Sequence, residues 1–179
     1  MALCEKILIV GFMGAGKTTF LREAEFQAPP GWELFDDLDD LILKNSRPKY
    51  KTVADLVAAE GWEKFRLWER QNIDSWLKEE GKGILALGGG ALSPLLFELL
   101  KPIKKIRLLH VEANFDTCFS RLKLDTVERP LLKLGELHMK SLFEERHKIY
   151  NQIPWRISNS GRADMTQNVR QFWETVEGQ

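Results

Sequence analysis

The string Gly11-Phe12-Met13-Gly14-Ala15-Gly16-Lys17-Thr18 stands between a buried-type apolar run, Ile7-Leu8-Ile9-Val10, and an amphipathic stretch. It satisfies G-x-x-x-x-G-K-[ST] at every fixed position, and the strand before it and helix after it are the context the pattern needs. Glycines let backbone N–H groups curl around phosphate oxygens with no Cβ in the way. The helix that follows aims its positive end at the same anion. Lys17 is a cation able to reach the β- and γ-phosphates. Thr18 offers a hydroxyl to Mg²⁺. Gly14, Ala15, Gly16, Lys17, Thr18 and Thr19 are therefore the candidate nucleotide-binding residues of this loop, and Lys17 is also a candidate catalytic residue. The loop marks a nucleoside triphosphate without choosing between kinase, GTPase and motor. The chain has no N-K-x-D guanine reader and no D-G-[FY]-P-R segment, and its 179 residues leave no room for a motor's accessory domains. A compact small-molecule kinase is the reading left.

The rest of the chain alternates short apolar runs with helical periodicity. Strands are predicted at 6–10, 32–35, 84–87, 106–111 and 155–158, and helices at 17–26, 53–59, 62–80, 94–100, 115–124, 136–150 and 165–176. A further helix is expected from Leu41, with Asp40 as its cap, and Gly81 is expected to close the 62–80 helix. Such β-α alternation predicts a three-layer αβα fold with a parallel sheet of about five strands. Ligands of such sheets bind beyond the carboxyl ends of the strands. No linker or repeat divides residues 1–179, so one domain is expected, with a helical acceptor region near 40–80 and a mobile lid near 125–136.

Composition narrows the function. Lys plus Arg and Asp plus Glu are both 26, and a formal charge of zero argues against electrostatically driven nucleic-acid binding. The uncharged stretch around residues 84–97 is too short for a membrane span and is broken by Gly88, Gly89, Gly90 and Pro94. Cys4 and Cys118 are isolated, which suits a reducing, cytoplasmic setting. His110, His138 and His147 have no ligand spacing and read as structural. Trp62, Trp68 and Trp76 read as a packing stripe on one helix.

Three further groups carry chemistry. Asp37 and Asp39, two apart after the second strand, project to one side of extended backbone. One suits Mg²⁺, and the other suits orienting an acceptor hydroxyl. Gly88, Gly89 and Gly90 end the third strand and expose main chain to a ligand. Glu69 lies three residues after Arg66 on a helix and can pin its guanidinium, although read alone the two are expected to form a solvated surface pair. Arg129-Pro130 sits on the expected lid, from which an arginine reaches transferring phosphates on closure. Arg146, read alone, is a solvated arginine on the helix at 136–150.

In order, G-F-M-G-A-G-K-T, F-D-D-L-D-D, E-G-W-E-K-F-R-L-W-E, L-G-G-G, R-P-L-L and E-R-H-K-I-Y resemble the shikimate kinase family from Ile7 to Tyr150. The resemblance implies a nucleoside monophosphate kinase-like fold of the P-loop NTPase class. It also implies ATP- and Mg²⁺-dependent transfer of the γ-phosphate to the 3-hydroxyl of shikimate, in the biosynthesis of aromatic amino acids. By the same resemblance Asp37 is magnesium-linked and Asp39 contacts the acceptor hydroxyl. Arg66 and Arg146 hold the acceptor carboxylate, and Gly88, Gly89 and Gly90 form its wall. Arg129 is the lid arginine. Arg121 falls near an arginine that stacks on adenine, one residue out of register. Two guanidinium forks suit one carboxylate, since each binds it in bidentate fashion. The expected partners are shikimate and ATP, with neither nucleic acid nor membrane, and a monomer is the simplest state. The chain departs from the pattern in a longer connection around 46–51, in Thr18 where serine is more usual, and in His147-Lys148, which lacks the family's proline. A kinase of another small acid and an idle ATP-binding module are the alternative readings.

Overall fold

The computed structural model describes residues 6–46, 50–125, 130–160 and 164–178. Its frame is a sheet of five parallel strands in the order β2-β3-β1-β4-β5. The strands are β1 (Lys6–Val10), β2 (Trp32–Asp37), β3 (Lys82–Ala86), β4 (Ile106–Glu112) and β5 (Arg156–Ser158). The helices are α1 (Lys17–Phe26), α2 (Leu38–Asn45), α3 (Val53–Leu77), α4 (Pro94–Leu100), α5 (Phe115–Leu124), α6 (Glu136–Tyr150) and α7 (Met165–Glu177), and a short 3₁₀ turn covers Pro130–Leu134.

The central strand β1 is buried on both faces, which is why it reads as a continuous apolar run. Leu8 and Val10 pack with α2, α3 and α4 and with Tyr150 of α6. Ile7 and Ile9 pack on the opposite face with α1 and α7. Leu85 and Ile84 of β3 divide the same way. These are the outer layers predicted from the pattern. Leu8 and Ile9 are wholly buried, and truncating either to alanine would cost roughly 2–5 kcal/mol. A third cluster joins Phe12 and Ala15 of the phosphate loop to Cys118 and Leu122 of α5 and Met139 of α6.

Several boundaries differ from the sequence reading. β2 runs on to Asp37, and α2 begins at Leu38 rather than near Leu41. Its cap is Asp37, whose carboxylate accepts the Asp39 N–H at 3.0 Å; Asp40 lies inside the first turn. The pattern Asp-Asp-Leu-Asp-Asp offers several caps, and tertiary pairing of Asp36 and Asp37 with Leu85 and Ala86 selects the earlier start. Asp39 is therefore helical and not on extended backbone. The two helices expected around residue 60 form one run, broken at Gly61, where φ 81° and ψ 163° leave the helical region. Thr52 and Asp55 close the start of this run with a reciprocal capping box. It ends at Leu77 with Lys78 as cap, and Gly81 (φ 96°) instead turns the chain into β3. Among the described helices none is long and apolar enough to cross a membrane.

Candidate active site

Two adjoining cavities open at the carboxyl ends of β1, β2 and β3. One, of about 270 Å³, is floored by the phosphate loop and includes Gly14, Gly16, Lys17, Thr18, Thr19 and Arg121. The other, of about 420 Å³, includes Arg66, Glu69, Gly90 and Arg146. They share a wall made of Met13, Thr18, Asp37, Asp39, Gly88 and Gly89. The sequence-predicted groups are thus divided between two ligand volumes, with the two aspartates at the junction.

The loop's shape comes from its glycines. Gly16 is the left-handed cap of α1 (φ 96°) and supplies no side-chain cap of its own. A Cβ on Gly14 would lie 2.6 Å from the Cys118 carbonyl oxygen, so only glycine fits there. Lys17 Nζ donates to the carbonyls of Gly11 at 2.9 Å and Phe12 at 3.1 Å, bent back over the loop. Ala15 is buried; its N–H donates to Phe12 O, and its carbonyl accepts from Asn159 Nδ2 at 2.7 Å. Arg121 donates to Gly14 O at 3.2 Å and to Asn159 O at 3.1 Å. In this structure, therefore, Arg121 braces the back of the loop as well as lining its cavity. Asn159 has no motif to announce it, and its role rests on a contact to Ala15 across 144 residues.

Thr18 Oγ1 donates to Asp37 Oδ2 at 2.8 Å, so the predicted metal pair is in direct contact. This hard oxygen set suits Mg²⁺, which needs only one or two protein ligands when phosphates and waters supply the rest. No group of three or more His, Cys, Asp or Glu side chains in metal-holding geometry occurs among the described residues. Asp40, behind the junction, has its carboxyl pushed above the usual range by burial and by the nearby Asp37 charge.

The larger cavity is built around Gly90. A Cβ there would lie 2.6 Å from Arg66 Nη2 and 2.7 Å from Arg146 Nη2, so both guanidiniums converge on one bare stretch of main chain. Arg66 donates to Glu69 at 2.5 Å, and Glu69 is only 2% exposed, so the pair is no solvated surface bridge. Burial raises the Glu69 carboxyl, and the Arg66 charge opposes that rise. Burial lowers the Arg146 guanidinium, which also stands over the Phe12 ring at 5.5 Å. Gly88 faces the junction, its would-be Cβ 3.1 Å from both Asp39 Oδ1 and Glu69 Oε1. Trp62 belongs to this cavity and lies under Arg66, ring to guanidinium 5.3 Å. The packing-stripe reading therefore holds for buried Trp76 but fails for Trp62, which is 39% exposed. Arg129 lies outside the described residues. Pro130 and Leu131, just after it, edge the larger cavity.

The sequence profile of the shikimate kinase family matches residues 13–177. The chain belongs to the shikimate kinase family. The shikimate kinase of Persephonella marina is 34% identical over 157 residues, covering 88% of this chain and 90% of the relative. That of Streptococcus gordonii is 34% identical over 152 residues, covering 84% and 87%. Among solved structures, the shikimate kinase from Bacteroides thetaiotaomicron superposes with a TM-score of 0.76 at 25% identity, covering 96% of this chain and 98% of that one. The Acinetobacter baumannii shikimate kinase, solved in complex with shikimate, reaches 0.80 at 23% identity, covering 99% and 94%. At that identity the likeness establishes the shared fold.

Proposed function

We propose that the two cavities hold the two substrates of a shikimate kinase, ATP over the phosphate loop and shikimate against Gly88–Gly90, with transfer at their shared wall. The chain is an ATP-dependent kinase by family. The observation that carries the residue assignment is the convergence of Arg66 and Arg146 on Gly90, one wall away from Thr18 and Asp37. Two guanidiniums around uncluttered main chain fit a small carboxylate, which each binds through parallel hydrogen bonds.

Each group then has a role in positioning and charge neutralisation, which dominate phosphoryl transfer. N–H groups of the loop and of the start of α1 bind phosphate oxygens. Lys17, when it leaves the Gly11 and Phe12 carbonyls, balances charge on the β- and γ-phosphates. Thr18 and Asp37 would hold Mg²⁺, which supplies further neutralisation of the transferring group. Asp39, on the first turn of α2, orients the attacking hydroxyl and accepts its proton. Arg129, outside the described residues, is assigned to the lid. Every group named comes from one chain, so a monomer suffices for the reaction.

An ADP-release assay with ATP and Mg²⁺, run with shikimate, with gluconate and without acceptor, tests the reading. Turnover dependent on shikimate is expected. Turnover with gluconate alone would reassign the acceptor. In the same assay Asp39→Asn should bind ATP normally yet lose most turnover, and an active variant would remove Asp39 from the chemistry.

A further inference from the structure

Tyr150 ends α6, four residues after Arg146, and it is 2% exposed. Its hydroxyl donates to Gly89 O at 2.8 Å and lies 3.5 Å from Gly11 O, which itself accepts from Lys17. One buried proton therefore sits where the glycine wall of β3 meets the first residue of the phosphate loop. The wall and the loop are already in close contact: a Cβ on Gly89 would lie 2.9 Å from Met13 N and 3.4 Å from Arg146 Nη1. Arg146 and Tyr150 are an i, i+4 pair and so share one face of α6. That face is joined to the wall twice, by the guanidinium over Gly89 and Gly90 and by the hydroxyl on the Gly89 carbonyl.

We propose that Tyr150 is a positioning residue for phosphoryl transfer, its hydroxyl fixing the glycine wall and Arg146 in register with the phosphate loop. This rests on the assignment of the larger cavity to shikimate. Burial pushes the Tyr150 hydroxyl up to about 12, so it remains a donor at every working pH. Without that proton the ring still fills its place, but the Gly89 carbonyl loses its partner and the wall is free to shift. Sub-ångström displacement of one reactant is enough to cost an order of magnitude or more in rate. ATP does not depend on this contact in the same way, because Arg121 and Asn159 brace its loop from the other side.

Tyr150→Phe in the full chain tests the proposal. Its kcat/KM for shikimate should fall about tenfold, with ATP affinity by calorimetry within about twofold of wild type. In an Arg146→Lys background the same substitution should cost less than about threefold, because the two residues act through one wall. Wild-type shikimate kinetics in Tyr150→Phe would overturn the proposal. So would equal weakening of both substrates, or the full tenfold loss recurring in the Arg146→Lys background. If Tyr150→Phe failed to fold, shown by a lost cooperative melt, the role would be structural and the proposal wrong. A wild-type enzyme silent with shikimate would instead overturn the acceptor assignment itself.

Discussion

Thr18 and Asp37 are 19 residues apart in sequence, yet a 2.8 Å hydrogen bond joins the first turn of α1 to the last residue of β2. The same carboxylate caps α2 through its other oxygen. Asp37 therefore has a structural duty beside the metal-binding one proposed for it, and the two can be separated. Asparagine caps helices as well as aspartate, so Asp37→Asn should melt within about 3 °C of wild type. As a weaker Mg²⁺ ligand it should lower kcat by about a hundredfold and raise the Mg²⁺ concentration needed for half-maximal rate. A Mg²⁺ titration of ADP release reads both effects.

Gly90→Ala should be a stable but defective enzyme. The atoms nearest the new methyl are the ends of two long side chains, Arg66 and Arg146, so they can move aside at small cost to the fold. Moving aside takes both forks off the site proposed for the shikimate carboxylate. The KM for shikimate should rise tenfold or more, with ATP affinity unchanged. Steady-state kinetics with each substrate varied in turn gives the answer.

Asn159→Ala should do the reverse. Its amide is the buried hydrogen-bond partner of the Ala15 carbonyl, and losing it leaves that oxygen with a single, longer contact from Arg121 at 3.5 Å. A carbonyl deprived of a buried partner costs about 1–3 kcal/mol. The phosphate loop would bear that cost. ATP affinity should weaken about tenfold or more while shikimate affinity holds, as calorimetric titration of each ligand would show.

His110 predicts a pH dependence of stability. It is fully buried on β4, and neither ring nitrogen has a hydrogen-bond partner among the described residues. Burial, then the facing His147 of α6, Arg156 of β5 and Lys17 of α1, lower its pKa to about 4. His147 is itself lowered by burial. Between about pH 6.5 and pH 4 the unfolded chain binds a proton at His110 that the folded chain refuses, so stability must rise with pH across this window. The contribution is complete above about 6.5 and is lost as pH falls towards 4. In denaturant melts at a series of pH values, His110→Leu should flatten the curve in that window relative to wild type.

The phosphate loop and the element order were legible because each rests on local residues or on fixed spacing, whereas the pairing of Arg66 with Arg146 came only from the family resemblance. Asp37 and Asp39 were found for their chemistry, but their backbone was misread. The choice among four candidate caps is made by β2 pairing with β3, and no local signal carries that. Trp62 and Arg146 looked like packing and surface residues because a helix pattern does not say which face meets a cavity. Tyr150 and Asn159 were invisible for a simpler reason. Their partners, Gly89 and Ala15, lie 61 and 144 residues away, and a tyrosine or asparagine with a distant carbonyl partner looks like any other.

The sheet order separates the molecule into two workshops with a common wall. Strands β2 and β3, on one side of β1, bring Asp37 and the glycine wall, and α2 and α3 between them bring Asp39 and Arg66. On the other side, β4 leads into α5 and Arg121, and Asn159 follows β5. The 3₁₀ turn and α6 trespass: both arise between β4 and β5 in the chain, yet Pro130 and Leu131 edge the larger cavity and Arg146 and Tyr150 reach the glycine wall. A designer wishing to transplant a new acceptor specificity could not swap residues 32–100 alone. The graft would arrive without its second arginine, and residues 136–150 would have to travel with it.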